Sequence, residues 1–360
     1  MSEHRAEGID LDDARRRGAP TGVRPRCGAP TPDGRTCRNY AGPSGACRVH
    51  ELEPGESPAE ERPAGVGGRG SADSPFLGQR DEIDAAVAAA LAFLRRRLTG
   101  DYDVDVYGFD RELTEQVMLP LARPLYRQYW RVRALGLEHV PSEGGALLVA
   151  NHAGTLPFDA VMTKVAVHDD HPAHRHLREL AADLALRVPG IGPLARKTGS
   201  TLAHEDDARR LLAGAELVGV WPEGFKGIGK PYRDRYKLQR FGRGGFVEVA
   251  LRSQVPIIPV AIIGSEEIYP LVANATFLAR LLGLPYFPIT WQFPLLGPLG
   301  LLPLPSKWVI DFGEPIDTAA YGPDAADDPM LVFELTDRVR DTIQQMLYRN
   351  LMGRRSIFFS

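Results

Sequence analysis

The sequence predicts an α/β fold between about residues 100 and 352. Two observations carry this prediction. Short apolar, β-branched runs alternate with segments of helical apolar spacing, and a long amphipathic helix closes the chain. IDAAVAAALAFLRRRL (83–98) spaces its apolar residues helically and ends in bases. TEQVMLPLARPLYRQYWRVRAL (114–135) continues helically, interrupted by Pro120 and Pro124. GALLVAN (145–151) is a buried strand, and LRELAADLAL (177–186) fits a helix or a strand with its flanks. AELVGVWPEG (215–224) is a strand running into a turn, and GGFVEVALRS (244–253) is a helix. VPIIPVAIIG (255–264) and KWVIDFGEPI (307–316) are further strands, and PMLVFELTDRVRDTIQQMLYRNLM (329–352) is the closing helix.

The 360 residues leave room for one large domain with an accessory piece, or for two domains. A net charge of −3 selects no partner, so any anion-binding role belongs to a local patch, and no nucleic-acid partner is expected. The first residues, MSEHRAEGIDLDDARRR, lack an apolar stretch of the secretory kind. The longest uncharged run lies between Arg280 and Lys307, and its six prolines exclude a spanning helix. A cytoplasmic chain is expected. Residues 1–25 and 51–80, rich in Gly, Pro and charge, are expected to be disordered, with 81–113 a helical lead-in.

VANHAGTLPFDA (149–160) places Asn151 and His152 where a strand ends, the edge at which open α/β sheets collect reacting groups. Pro157 suits the first turn of a helix, and Asp159 would lie inside that turn, favoured by the helix dipole. A loop folding back would set Asp159 against one imidazole nitrogen and leave the other as a base. The same pattern also describes a histidine bonded to a loop beside a plain capping aspartate. WPEGFKGIGKPYRDRYKLQRFGRGG (221–245) begins at another strand end with Glu223 and Gly224. From Lys226 to Arg243 it carries seven basic residues against one acid, Asp234. Lys226, Lys230, Arg233, Arg240 and Arg243 are candidate phosphate-binding groups, and the interleaved glycines favour close backbone approach to a ligand.

Taken in order, the NH-x6-D pattern at 151–159, PEG at 222–224 and VPIIPV at 255–260 resemble the glycerolipid acyltransferase superfamily, the PlsC-like lysophospholipid acyltransferases. The resemblance covers roughly residues 115–350 and makes 114–352 the acyltransferase domain. It implies a mixed, mostly parallel sheet flanked by helices. It also implies transfer of a fatty acyl group from acyl-CoA or acyl carrier protein to a lipid hydroxyl, such as that of 1-acylglycerol-3-phosphate. By the same resemblance His152 is the base, Asp159 orients it, Glu223 and Gly224 bind the acceptor, and Pro256 falls in the apolar fourth block. No cofactor is needed for catalysis, and the enzyme would act peripherally on the inner membrane face. The commonest form of the family has four residues between His and Asp; the six found here match a diverged branch that includes neutral-lipid acyltransferases. Phe225-Lys226 stands where Thr-Arg is usual, and in GSTLAHEDDARR (199–210) His204 takes the place of the family's arginine. Those departures leave diacylglycerol or another lipid alcohol open as acceptor, and a lipid or thioester hydrolase or a lipid-binding scaffold are the competing classes.

Three elements stand apart. The run LPYFPITWQFPLLGPLGLLPLP (284–305), with Tyr286, Phe287, Trp291 and Phe293, fits a membrane-docking or acyl-lining segment, or an irregular core segment under the sheet. RCGAPTPDGRTCRNYAGPSGACRVH (26–50) holds every cysteine of the chain. Cys27, Cys37, Cys47 and His50 would supply a tetrahedral zinc set and resemble a small appended zinc module; the alternative is three incidental thiols in a reducing cytosol. HDDHPAHRH (168–176) carries four histidines and two aspartates, a composition that could hold a metal, but it lies in a polar connector, and such runs are usually solvated.

Overall fold

The computed structural model describes residues 75–358, other than 189, 243, 282 and 284–286. The zinc-module residues Cys27, Cys37, Cys47 and His50, the segments 1–25 and 51–74, and Arg243 lie outside the described residues.

The main sheet has seven strands: β1 (Arg133–Leu135), β2 (Ala146–Ala150), β3 (Leu177–Ala181), β4 (Ser200–Leu202), β5 (Leu217–Val220), β6 (Ile257–Ile263) and, after the separate pair β7 (Leu271–Asn274) and β8 (Pro288–Thr290), β9 (Val309–Phe312). Their order is β1-β9-β6-β2-β5-β3-β4. β6, β2, β5, β3 and β4 run parallel. β9 is antiparallel to β6, and β1 follows β9. The sheet is therefore mixed and mostly parallel, flanked by helices.

β2 and β6 are buried along their whole length, as strands covered on both faces must be. Alternate residues serve opposite layers. Leu147, Val149, Ile257 and Ile263 pack with Val247 and Leu251 of the helix Gly245–Ser253 and with Val339 and Ile343 of the closing helix Pro329–Gly353. Leu148, Ile258, Val260 and Ile262 pack on the other side with Met162, Trp130 and Trp308. Truncating Leu148 or Ile258 to Ala would cost about 2–5 kcal/mol, because such sites collapse only in part.

Several elements depart from the sequence expectation. The prolines at 120 and 124 do not break the helical run. Two π-turns, Thr114–Met118 and Leu125–Tyr129, widen it, so the Leu119 amide reaches back to the Thr114 carbonyl and the chain absorbs the missing proline donors. The run stops at Tyr129, and the last residues of the expected helix form β1 instead. LRELAADLAL divides into β3 and the helical turn Asp183–Arg187. The segment after β8 is not core: Leu295 is 85% exposed and Trp291 66%. Among the described residues, no helix is long and apolar enough to cross a membrane.

Candidate active site

The site forms at the carboxyl edge of the parallel strands. Asn151 directly follows β2 with its side chain fully buried. Its Nδ2 donates to the Ile262 carbonyl (3.0 Å) and its Oδ1 accepts from the Ile262 amide (2.7 Å). The side chain thereby extends the β2–β6 ladder by one pair and fixes where the chain leaves the sheet.

His152 is the first residue past that lock. Its Nδ1 lies 2.7 Å from Asp159 Oδ2, with 14% of the histidine side chain and none of the aspartate side chain exposed. Asp159 Oδ2 also accepts from the Ala153 amide (3.0 Å), and Oδ1 from the Ala160 amide (2.9 Å). The loop thus folds back as one of the two sequence readings requires, and Asp159 sits in the first turn of the helix Phe158–Val165. Gly154 permits the fold: at φ +99°, a Cβ there would meet the Ser265 carbonyl at 2.6 Å. Burial works against the imidazolium. The Asp159 charge and hydrogen bond, with Glu223 and Glu179, outweigh it and raise the His152 pKa above its ordinary 6.5. Nε2 has no hydrogen-bond partner among the described residues, and the Trp221 ring stands 6.0 Å from the imidazole.

Glu223 is beside His152 but faces inward. Its Oε1 accepts from the His152 amide (3.0 Å), its Oε2 from the Gln239 amide (2.7 Å), and Lys230 Nζ approaches Oε2 at 3.3 Å. Its side chain is sealed from solvent. Glu223 therefore ties the strand end to the following loop and is not presented to an acceptor in this arrangement. Lys230 is buried as well, shared between Glu223 and Glu266 at 3.3 Å each, so it is not available to a phosphate. Burial pushes the Glu266 carboxyl up to about 7, with Lys230 pulling the other way. Gly227 makes the close approach that was expected of a ligand: a Cβ there would meet the His152 carbonyl at 2.5 Å. Its purpose is to let the turn Phe225–Ile228 lie on the His152 loop.

Gly224 caps that turn. Of the remaining loop cations, Lys226, Arg233 and Arg240 are exposed. His204 is a helix cap, accepting from the Asp206 amide at 3.3 Å. Sequence reasoning missed Lys164, whose buried ammonium lies 3.0 Å from Glu179 and 2.8 Å from the Thr198 carbonyl. It also missed Glu266, although the acidic pair Glu266-Glu267 directly after the VPIIPVAIIG strand was a readable signal.

The run at 168–176 is solvated only in part: Asp170 and residues 172–174, His174 among them, are exposed, while the other histidines turn inward. His171 is buried with Nε2 2.9 Å from the Val140 carbonyl, and His168, His176 and Glu115 bring ligand atoms within 4.8 Å of one another. These groups stand at the start of β3, the opposite end of the sheet from His152.

The Acyltransferase family model matches residues 131–263, a span that holds Asn151, His152, Asp159, Glu223 and β6. The chain is 60% identical over 279 residues to the uncharacterized protein Rv0502 of Mycobacterium tuberculosis, covering 78% of each. It is 29% identical over 142 residues to the 1-acyl-sn-glycerol-3-phosphate acyltransferase alpha of Ovis aries, covering 39% of this chain and 47% of the sheep protein. Among solved structures, the 1-acyl-sn-glycerophosphate acyltransferase PlsC of Thermotoga maritima aligns with a TM-score of 0.44 and 18% identity, over 67% of this chain and 80% of that one.

Proposed function

The chain belongs to the acyltransferase family, and from that premise we propose that it moves a fatty acyl group from acyl-CoA or acyl carrier protein to the hydroxyl of a lysophospholipid, working peripherally on a membrane with His152 as the base. The observation that carries this reading is the buried His152–Asp159 contact with Nε2 left unpartnered among the described residues.

The chemistry follows from that geometry. Nε2 takes the proton of the acceptor hydroxyl as its oxygen bonds to the thioester carbonyl carbon. Asp159 holds Nδ1–H and stabilises the imidazolium that forms. When the tetrahedral centre collapses, the C–S bond breaks, and the leaving thiolate recovers the proton from His152. The products are an ester and a free thiol, with no covalent enzyme intermediate; the chain has no cysteine after Cys47. Exposed Lys226, Arg233 and Arg240 supply positive charge for a phosphate-bearing acceptor or donor. The sheep relative, named as a 1-acyl-sn-glycerol-3-phosphate acyltransferase, supports a phosphate-bearing acceptor.

The test is incubation of the purified full chain with labelled acyl-CoA and a panel of lysophospholipids and diacylglycerol. A labelled phospholipid that disappears with His152→Ala supports the reading. Ester formation on diacylglycerol alone overturns the phospholipid acceptor. Release of free fatty acid without acceptor makes the enzyme a hydrolase, and transfer that survives His152→Ala removes the mechanism.

A further inference from the structure

The segment from β7 to Ser306 lays an apolar surface on the outside of the molecule. Val272, Phe277, Leu281, Trp291, Leu295 and Leu299 are all exposed, and no Asp or Glu occurs between Ile268 and Ser306. An unpartnered apolar face of this extent marks a binding surface. Two contacts join it to the site. Tyr232, in the basic loop, has its ring 6.1 Å from that of Trp291, and Tyr269 donates to the Leu301 carbonyl at 2.5 Å. Both tyrosines line the small cavity that also touches Gly154, Gly227 and Lys230 behind the His152 loop. Cations cluster on the same side. The Arg235 guanidinium stacks over the Tyr232 ring at 4.4 Å. Arg233 and Lys237, which share the single acid Asp234 at 3.5 and 3.8 Å, expose most of their side chains nearby in sequence, so the loop keeps a net positive charge.

We infer that this face is the bilayer-docking surface of the protein, with Trp291 and the leucines of 295–302 entering the acyl boundary of one leaflet while Arg233, Arg235 and Lys237 meet anionic headgroups. Charge decides the occupant. A leucine-rich, acid-free face bordered by bases complements an anionic lipid surface, and a second copy would set the same bases against each other. An exposed tryptophan between apolar and basic zones is also the side chain that favours the membrane interface. The inference rests on the lipid-acyltransferase reading for the need to meet a bilayer, and it places the mouth of the site at the leaflet that holds acceptor and product.

Vesicle binding by the full-length His152→Ala variant tests docking apart from catalysis. The other three tryptophans, Trp130, Trp221 and Trp308, are buried, so a change in tryptophan emission reports Trp291. Vesicles of phosphatidylcholine with about one third phosphatidylglycerol should shift the emission to the blue, and brominated lipid should quench it. Trp291→Phe should abolish both signals. Leu295→Asp with Leu299→Asp, checked for an unchanged melting temperature, should cut vesicle co-sedimentation at least tenfold, and pure phosphatidylcholine should bind more weakly. Unshifted emission, or co-sedimentation untouched by the double substitution, overturns the inference. A wild-type dimer that the double substitution splits assigns the face to a second copy and overturns it too. Failure of the wild-type chain to transfer an acyl group to dispersed acceptor, while vesicle binding persists, would refute the enzymatic reading alone.

Discussion

Two histidine–carboxylate pairs stand at opposite ends of the parallel sheet, and only one has the properties of a base. His152 meets Asp159 at 2.7 Å, and His176 meets Glu115 at 2.9 Å. The distances are nearly equal, yet the pKa values move in opposite directions. Burial lowers His176 to about 4; the Glu115 hydrogen bond opposes it but does not prevail, and Arg111 and His168 add to the fall. Burial also opposes the His152 cation, but there the carboxylates win. The difference lies in the carboxylate. Asp159 is sealed and fixed by two backbone amides, whereas the Glu115 side chain is 40% exposed, so water screens it, and Arg111 lies 4.0 Å away. A short contact does not by itself raise a histidine pKa; a desolvated, anchored anion does.

The largest effect that would sharpen this contrast is on turnover. His152→Ala should reduce acyl transfer about 10³-fold or more, the scale of a lost general base, while His176→Ala stays within about threefold. Comparable losses from both, in folded protein, would break the distinction. Next, Asp159→Asn should cost about 10²–10⁴ in kcat through the wrong tautomer. It should also move the pH profile. A base must be neutral to act, so kcat/KM should rise with pH through a midpoint above 6.5, and the substitution should shift that limb to lower pH. An acid limb unchanged by Asp159→Asn would separate the pair.

A smaller effect tests Glu223. As the group that holds the His152 amide, Glu223→Gln should lower kcat roughly tenfold and depress the melting temperature, with KM for the acceptor little changed. A rise in KM alone would return Glu223 to acceptor binding. The smallest effect is a linkage slope at the other pair. His176 binds its proton near 6.5 when unfolded and near 4 when folded, so stability should fall as pH drops from about 6.5 to 4, by on the order of 2 kcal/mol. His176→Phe should flatten that slope in urea titrations, and an NMR titration midpoint for His176 above 6 would contradict it.

Much of this was legible in the chain. β2, β5 and β6 announce themselves because strands buried on both faces are continuous apolar runs that few other elements resemble. The His152–Asp159 loop was legible because strand end, Gly154 and Pro157 constrain a short, local segment. Less legible were elements whose form depends on distant partners. β1 reads as helix because Arg133–Leu135 takes its extended form from pairing with β9, some 175 residues on. The exposed face at 291–302 reads equally well as core, since apolar composition does not say which side of the molecule a segment occupies.

By itself, the sequence determined the alternation that builds the sheet and the titratable group placed at the end of β2. Only the tertiary structure decided that Glu223, 71 residues from His152, turns inward to hold its amide, and that Lys230 is spent between two buried carboxylates. The reason is physical. Desolvation and Coulomb interaction depend on what surrounds a charge in three dimensions, and residue type and spacing fix only which charges are available to be surrounded.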